Sequence, residues 1–431
     1  MPTIIRGAVS TGVRDSDAKA LANMRKYFVQ STYQKTPLTK LIFMKKPEVC
    51  KGSLPGWFED KYVGRFGTVL DVYTDAGLSS AYASGGVNGT PLFVTVTAAE
   101  AKRILVGDQI SIRDTATASD RALSVIGVTI GSDTTSNLQC ILKETDTSNY
   151  LASATLRWMN LGHASEQLTG WPDETFIEAV RRTNATQIFK AAVTISGTEI
   201  AEEGLEYIDK SMHIRKKAQA FQRIQDDIEH AMLFGRYELG TGAGGRNAYR
   251  MRGLRQAISS EVSGNIFNFN TDTDYNGKTW LEYGWGAFQD VLKTTGELGS
   301  GKKLVLMSMT GEQKLAELLE DRGLYSLVPG KNEFGLTVSK LHGVSGEVEI
   351  HAYAPFTMNS SYTNTVAIIE PQLLTRLVMP GRDLQYIPQS DLGNSGAQWL
   401  DGMKEGWFAE MSLRYDNLEA MGFIEGFGTD Q

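Results

Sequence analysis

The chain has 431 residues, of which 41% are apolar and 22% charged, with a formal net charge of -7. That length exceeds what one simple core holds, so two or three domains are expected. The acidic balance gives no global reason to bind nucleic acid, and the sequence contains no apolar run long enough to span a membrane.

Cys50 and Cys140 are far apart without paired spacing, which fits a reducing compartment and leaves one disulfide open. The N-terminal stretch MPTIIRGAVSTGVRDSD lacks the apolar centre of a secretory signal, so production in the cytoplasm is expected. Residues 1–50 read as an arm without a core. Arg6, Arg14, Lys19, Arg25, Lys26, Lys35, Lys40, Lys45 and Lys46 outnumber Asp15, Asp17 and Glu48, with a short helix expected around 16–30. Such a segment is either a solvated terminus or an extension lying on a neighbouring subunit. Residues 51–75 look extended. Residues 76–160 are rich in Ser, Thr, Gly, Val and Ile. The runs Leu92–Thr97, Gln109–Arg113, Leu123–Ile130 and Leu138–Lys143, separated by turn residues, predict a small β insertion. Residues 158–185 read as extended polar chain again.

The next segment is the most structured. From Glu199 to Phe234 there is no proline. Leu205, Ile208, Met212, Ala218, Phe221, Ile224, Ile228 and Ala231 recur mostly three or four apart, the period of one helix face. The spacing predicts a helix over 199–234, roughly 50 Å long, that acts as a beam, stopping at Gly235. Its packing residues are Leu205, Ile208, Met212, Phe221, Ile224 and Ile228. Residues 240–245 read as a glycine-rich connector. Residues 275–380 then alternate: helices at Leu281–Thr295 and Thr310–Arg322, strands at Lys303–Ser308, Val348–Tyr353, Thr365–Glu370 and Leu373–Met379, a small α/β domain. Thr310 is placed to cap its helix, with Gln313 three residues on. Trp407, Phe408, Met411, Leu413 and Tyr415 alternate as a strand returning beside the long helix.

Two glycine patterns match nucleotide-binding expressions. Gly240, Gly242 and Gly245 fit G-x-G-x-x-G but follow a helix, whereas that motif must join a strand to a helix. Gly296 to Lys302 fits G-x-x-x-x-G-K. Lys303 stands where a magnesium-binding hydroxyl is needed, and helix precedes loop precedes strand, the reverse of a phosphate loop. His163, His213, His230, His342 and His351 show no metal spacing. The pairs Asp226–Asp227 and Glu202–Glu203 fall on helix faces that water reaches. No catalytic residue, cofactor or metal ligand is assigned.

The order of parts resembles tailed-phage major capsid proteins of the Hong Kong-phage (HK-type) fold. Trp57-Phe58-Glu59-Asp60 resembles the stretch where that family's chain enters its E-loop. Val106-Gly107-Asp108-Gln109-Ile110 is similar to a strand of a β insertion in one branch of the family. Asn184 to Phe189 and Val193 to Thr198 resemble the lead into the spine helix, Asp226 to Gly235 its end, and Met251-Arg252-Gly253-Leu254 the loop after it. Residues 119–160 depart by lacking the family's "TVTRG"-like strand. The resemblance implies an α+β fold: N-arm 1–50, E-loop region 51–185 with its β insertion at about 76–160, P-domain 186–270 with spine helix 199–234, A-domain 271–400, and a closing P-domain strand within 401–431. It implies a non-enzymatic building block of the virion, made in the host cytoplasm, that forms hexamers and pentamers of an icosahedral shell around double-stranded DNA. Its partners would be itself, with scaffolding, portal and decoration proteins possible. DNA would be met by non-specific proximity, and no membrane is involved. No fused scaffold block precedes the arm, so scaffolding would be separate or absent. Three alternatives stay open: a nanocompartment shell of the same fold, a nucleotide-dependent enzyme using Gly296–Lys302, and an adhesin or tail-decoration protein built on the β insertion.

Overall fold

The computed structural model describes residues 36–60, 64–132, 135–165, 170–171, 178–196, 198, 211–321, 328–331, 337–343, 346–388 and 402–430. The chain divides into two compact units, one of residues 1–59 with 181–431, the other of residues 60–180. Among the described residues, helices and strands are mixed in the first unit, whereas the second is nearly all strand, with one short α-helix, Ala98–Ala101, and one 3-10 turn, Tyr150–Ala152.

The first unit is organised on the helix Ser211–Phe234. Ile224, Ile228, Met232 and Leu233 are fully buried on it, while Arg223, Asp227 and His230 face water. The helix covers the antiparallel pair Gln187–Ser196 and Gly402–Tyr415, which run in register from Gln187 opposite Met411 to Ser196 opposite Gly402. Phe189, Ala191, Val193 and Ile195 point into the shared core, the period of two that one buried face demands. The sheet continues through Leu374–Val378 to the two-residue strand Glu48–Val49. The predicted residues 199–210 and the expected helix at 16–30 lie outside the described residues.

The helix ends at Gly235, but not through a left-handed cap, since Gly235 is not among the positive-φ glycines. It ends because the chain crosses there. The amide of Gly253 donates to the Gly235 carbonyl (2.8 Å). A Cβ on Gly253 would lie 2.5 Å from the Gly235 nitrogen, and one on Gly235 would lie 2.7 Å from the Met251 carbonyl oxygen. Only two glycines permit that approach.

The predicted arm needs correction at its C-terminal end. Pro37–Met44 is a helix whose Leu38, Leu41 and Ile42 are at most 1% exposed within the main core. Eight residues are too few for a helical period to stand out beside the surrounding lysines.

A mixed seven-stranded sheet runs in the order Ile266–Asn268, Gly422–Glu425, Val366–Ile369, Lys302–Met307, Gly346–Ala352, Thr337–Gly343, Val328–Lys331. It separates two cores. Leu304, Leu306, Ala367, Ile369 and Phe423 share the core with the long helix. Val305, Met307, Ile350, Val366, Ile368 and Ile424 face the helices Trp280–Gly296 and Met309–Asp321. Three expectations change here. The second of these helices starts at Met309, and its cap is Ser308, whose Oγ accepts from the Gly311 amide (2.9 Å); Thr310 lies within the first turn. The chain end splits, with Gly402–Tyr415 beside the long helix and Gly422–Glu425 in the other sheet. Residues 240–245 belong to a hairpin: Gly240 and Thr241 end the strand Glu238–Thr241, which pairs with Asn247–Arg250, and the turn follows, with Gly245 at φ +72°.

The second unit is a β-barrel. Its seven strands run Phe66–Thr68, Leu156–His163, Asp108–Asp114, Ser119–Thr129, Asn137–Leu142, Pro91–Thr95, Asp71–Tyr73. The two end strands are consecutive in the chain. A flat sheet of that size would hold them about 29 Å apart, yet Thr68 and Asp71 are separated by no more than about 11 Å of chain. The sheet therefore curls round into a barrel whose two end strands come close to each other without a paired ladder between them. Between them the Val69 amide donates to Leu156 (3.1 Å) and the Leu70 amide to Thr95 (2.9 Å). Val69, Leu92, Val94, Ile110, Ile112, Leu123, Leu138, Cys140, Leu156 and Trp158 fill the interior, alternating with outward residues as closure requires. The segment read as polar extended chain from residue 158 thus begins inside a barrel strand, with Trp158 1% exposed.

Candidate functional site

The catalytic lookalikes resolve first. Between Gly296 and Lys302 the chain passes from helix to strand. The loop amide of Ser300 donates to Glu370 Oε1 (3.0 Å), so a protein carboxylate holds the donor a phosphate would need. Lys302 is exposed. Its neighbour Lys303 is the buried one, with Nζ 2.7 Å from both Glu370 Oε2 and the Ala420 carbonyl. The Gly240–Gly245 pattern sits in a hairpin, without a helix N-terminus to bind an anion. An open cleft of about 350 Å³ is lined by Glu48, Cys50, Trp57, Leu377 and Arg414 among others. Burial is the main force pushing the Cys50 thiol up, the wrong direction for a nucleophile. His163 Nδ1 lies 3.1 Å from Asp108 Oδ1 and His351 is buried. Among the described residues no group of three His, Cys, Asp or Glu is placed to hold a metal ion.

The packing residues proposed for the long helix fall as follows. Leu205 and Ile208 lie outside the described residues. Met212 lies in the helix. Phe221 is half-buried, its ring 4.7 Å from that of Trp407. Ile224 and Ile228 are 0% exposed.

Buried charge and polar side chains weld this framework, and local sequence marked few of them. Glu229, 0% exposed, accepts from Leu38 N (3.1 Å), Thr39 N (2.5 Å) and Thr39 Oγ1 (2.6 Å). Asn184, also 0% exposed, accepts from Arg252 N (2.7 Å) and donates to the Leu413 carbonyl (2.8 Å). One amide thus ties strand, loop and closing strand together. Arg182 bridges Glu59 and Glu261, and Glu59 accepts from Asn417 N (2.5 Å). Trp57, beside Glu59, packs edge-on against Tyr415 at 5.2 Å. The sequence did single out Trp57, Glu59, Asn184 and Arg252 by their resemblance motifs. Glu229 lay within the Asp226–Gly235 motif and Lys303 beside the phosphate-loop lookalike, but neither they nor Glu370 read as buried, because a charge at a helical or alternating position reads locally as solvent-facing.

The exposed surface is unusually apolar in places. Phe58 is 71% exposed, Ile214 64%, Met309 62% and Met358 63%. On the barrel's outer face Phe66 stands opposite Met159 across the strand pair, 60% and 54% exposed. Cross-strand apolar pairs left in water mark surfaces that a partner covers.

No curated protein matches the chain in sequence. Among solved structures it is similar to Mycobacterium phage Bobi (TM-score 0.39, 11% identity, 61% of this chain and 80% of that one). It is similar also to the cyanophage A-1(L) capsid asymmetric unit (TM-score 0.36, 11% identity, 62% and 85%). A third is the holo-SrpI encapsulin complex from Synechococcus elongatus PCC 7942 (TM-score 0.35, 12% identity, 57% and 77%). These likenesses are partial, and family membership rests on sequence. Residues 15–428 match the SU10 major capsid protein family, a span that takes in the long helix, the barrel and both sheets. With its buried charges serving as structural welds and apolar side chains left open on its surface, the chain belongs to that family, a major capsid protein that self-assembles into the virion shell.

Proposed function

We propose that the protein is a non-enzymatic subunit that forms hexamers and pentamers of an icosahedral phage head around double-stranded DNA. The observation that carries this reading is the family match over residues 15–428. The catalytic lookalikes support its non-enzymatic part, since Glu370 fills the phosphate-loop position. In this reading the long helix is the spine of a P-domain (186–270, closed by a strand within 401–431). Residues 271–400 are the A-domain, residues 51–185 the E-loop region carrying the barrel, and the residues ahead of Pro37 the arm that reaches a neighbour. Production in the host cytoplasm, contact with scaffolding, portal or decoration proteins, and non-specific proximity to DNA belong to the same proposal.

Light scattering of the purified chain across salt conditions, with and without a co-expressed scaffold, tests it. Capsomers, tubes or shells are expected because exposed apolar pairs such as Phe66 and Met159 gain by being covered. A compact monomer under every condition would count against the reading. A nanocompartment shell is the second reading; the family match favours the phage head over it.

A further inference from the structure

The helix Pro37–Met44 has an N-terminus that its own sequence does not satisfy. Its N-cap, Thr36, makes no side-chain cap hydrogen bond. The second and third helical residues, Leu38 and Thr39, carry amides without intrahelical partners. Both amides donate instead to Glu229 on the long helix, a residue 190 positions or more away in the chain, and the Thr39 hydroxyl adds a third donor. Glu229 thus caps a helix that is not its own, in a pocket without solvent.

A second observation marks the same pocket. The hydroxyl of Tyr353 is buried without a partner in ordinary hydrogen-bond geometry, yet it lies near enough to Glu229 to interact with its carboxyl by charge and by hydrogen bonding. Among the described residues, the titratable groups that act on Glu229 are Asp226 from its own helix and Tyr353 from the end of the neighbouring sheet segment. Neither supplies positive charge. The helix Pro37–Met44 faces it with the Thr39 hydroxyl and two amides alone.

We propose that Glu229 is a proton-operated latch that docks Pro37–Met44, and with it the root of the chain's first 36 residues, onto the long helix most tightly in its protonated form. The protonated carboxyl keeps acceptor capacity for the amides. Its O–H is donated to Thr39 Oγ1 or to the Tyr353 hydroxyl, both of which have free lone pairs. The ionised form keeps the three donors but loses its hydration, and burial outweighs them: the pKa is pushed up to about 7 from its ordinary 4.5. The bonds from Thr39 and Leu38 pull the other way, and Asp226 adds to the rise. When the helix lifts away, Glu229 meets water and returns to its ordinary range. The docked state then holds a proton that the released state gives up. Docking is fully supported below about pH 4.5 and weakens as pH rises through about 7, by about two orders of magnitude across the window at tenfold per pKa unit. The helix Pro37–Met44 is in consequence held by a switch whose working range runs from about pH 4.5 to about 7. The inference concerns the single subunit and does not depend on how subunits assemble.

Hydrogen exchange of the amides of residues 37–44 in the full-length protein, followed from pH 5 to 8 and corrected for the intrinsic pH dependence of exchange, tests it. Wild type is expected to lose tenfold or more in protection over that range, and Glu229→Gln, which cannot titrate, to show a flat profile. Identical profiles for the two proteins, or protection that rises with pH in wild type, would overturn the latch. Should Glu229→Gln fail to fold, Thr39→Val decides. Removing one donor to the ionised carboxylate is expected to move the wild-type midpoint upward, and an unmoved or lowered midpoint contradicts the proposal.

Discussion

Lys303 and Glu370 are each about 1% exposed at the side chain, and their ion pair is completed by Ser300 N and the Ala420 carbonyl. Removing one member leaves the other as an unpaired charge in an apolar strand environment. Lys303→Ala is expected to cost about 3–5 kcal/mol, and the replacement of both by apolar residues of similar volume much less. Thermal melts of Lys303→Ala, Glu370→Ala and Lys303→Met with Glu370→Leu check this; equal losses in all three would show that packing, not the unpaired charge, sets the cost. Lys302 carries the opposite lesson. Reading the sequence put weight on it as a phosphate-loop lysine and set it aside on element order, whereas its neighbour is the buried residue. Adjacent lysines on a strand point to opposite faces, and nothing in the local residues Gly301-Lys302-Lys303-Leu304 says which face is covered.

At the scale of elements, the long helix was the most legible part. Its Ile224 and Ile228 sit at helical spacing and are both fully buried. Ile224→Asp would place a carboxylate against the core residues of the strand Gln187–Ser196. The expected loss is about 4 kcal/mol or more, read as insoluble or unfolded protein; a soluble, cooperatively melting variant would mean the buried face is wrongly assigned. The helix Pro37–Met44 was not legible, because Leu38, Leu41 and Ile42 make too short a stripe among flanking lysines. Its burial changes what a truncation should do. Removal of residues 2–44 takes three core side chains with it and is expected to destabilise the protein by at least ~4 kcal/mol, whereas removal of residues 2–35 spares them. Equal stability of the two truncations by denaturant melt would contradict the packing described here. The barrel strands were readable by their alternation, but its closure was not. Pairing of Phe66–Thr68 with Leu156–His163 is a contact of about ninety residues' separation, and period-two patterning identifies strands without naming their partners.

At the scale of the whole molecule, the family was legible in the resemblance motifs and their order, and residues 15–428 match the SU10 major capsid protein family. What no single-chain reading supplies is the partner that covers the exposed apolar side chains, because their energetic reason lies in another copy. Phe66 and Met159, opposed on the outer face of the barrel, look like an error in a lone subunit and like an interface in an assembly. The central claim is assembly, and negative-stain electron microscopy of the expressed, purified protein tests it most directly. Closed shells or capsomer arrays containing both six-fold and five-fold units are the predicted result. A uniform population of compact single subunits, persisting with scaffold present and across salt, would contradict it.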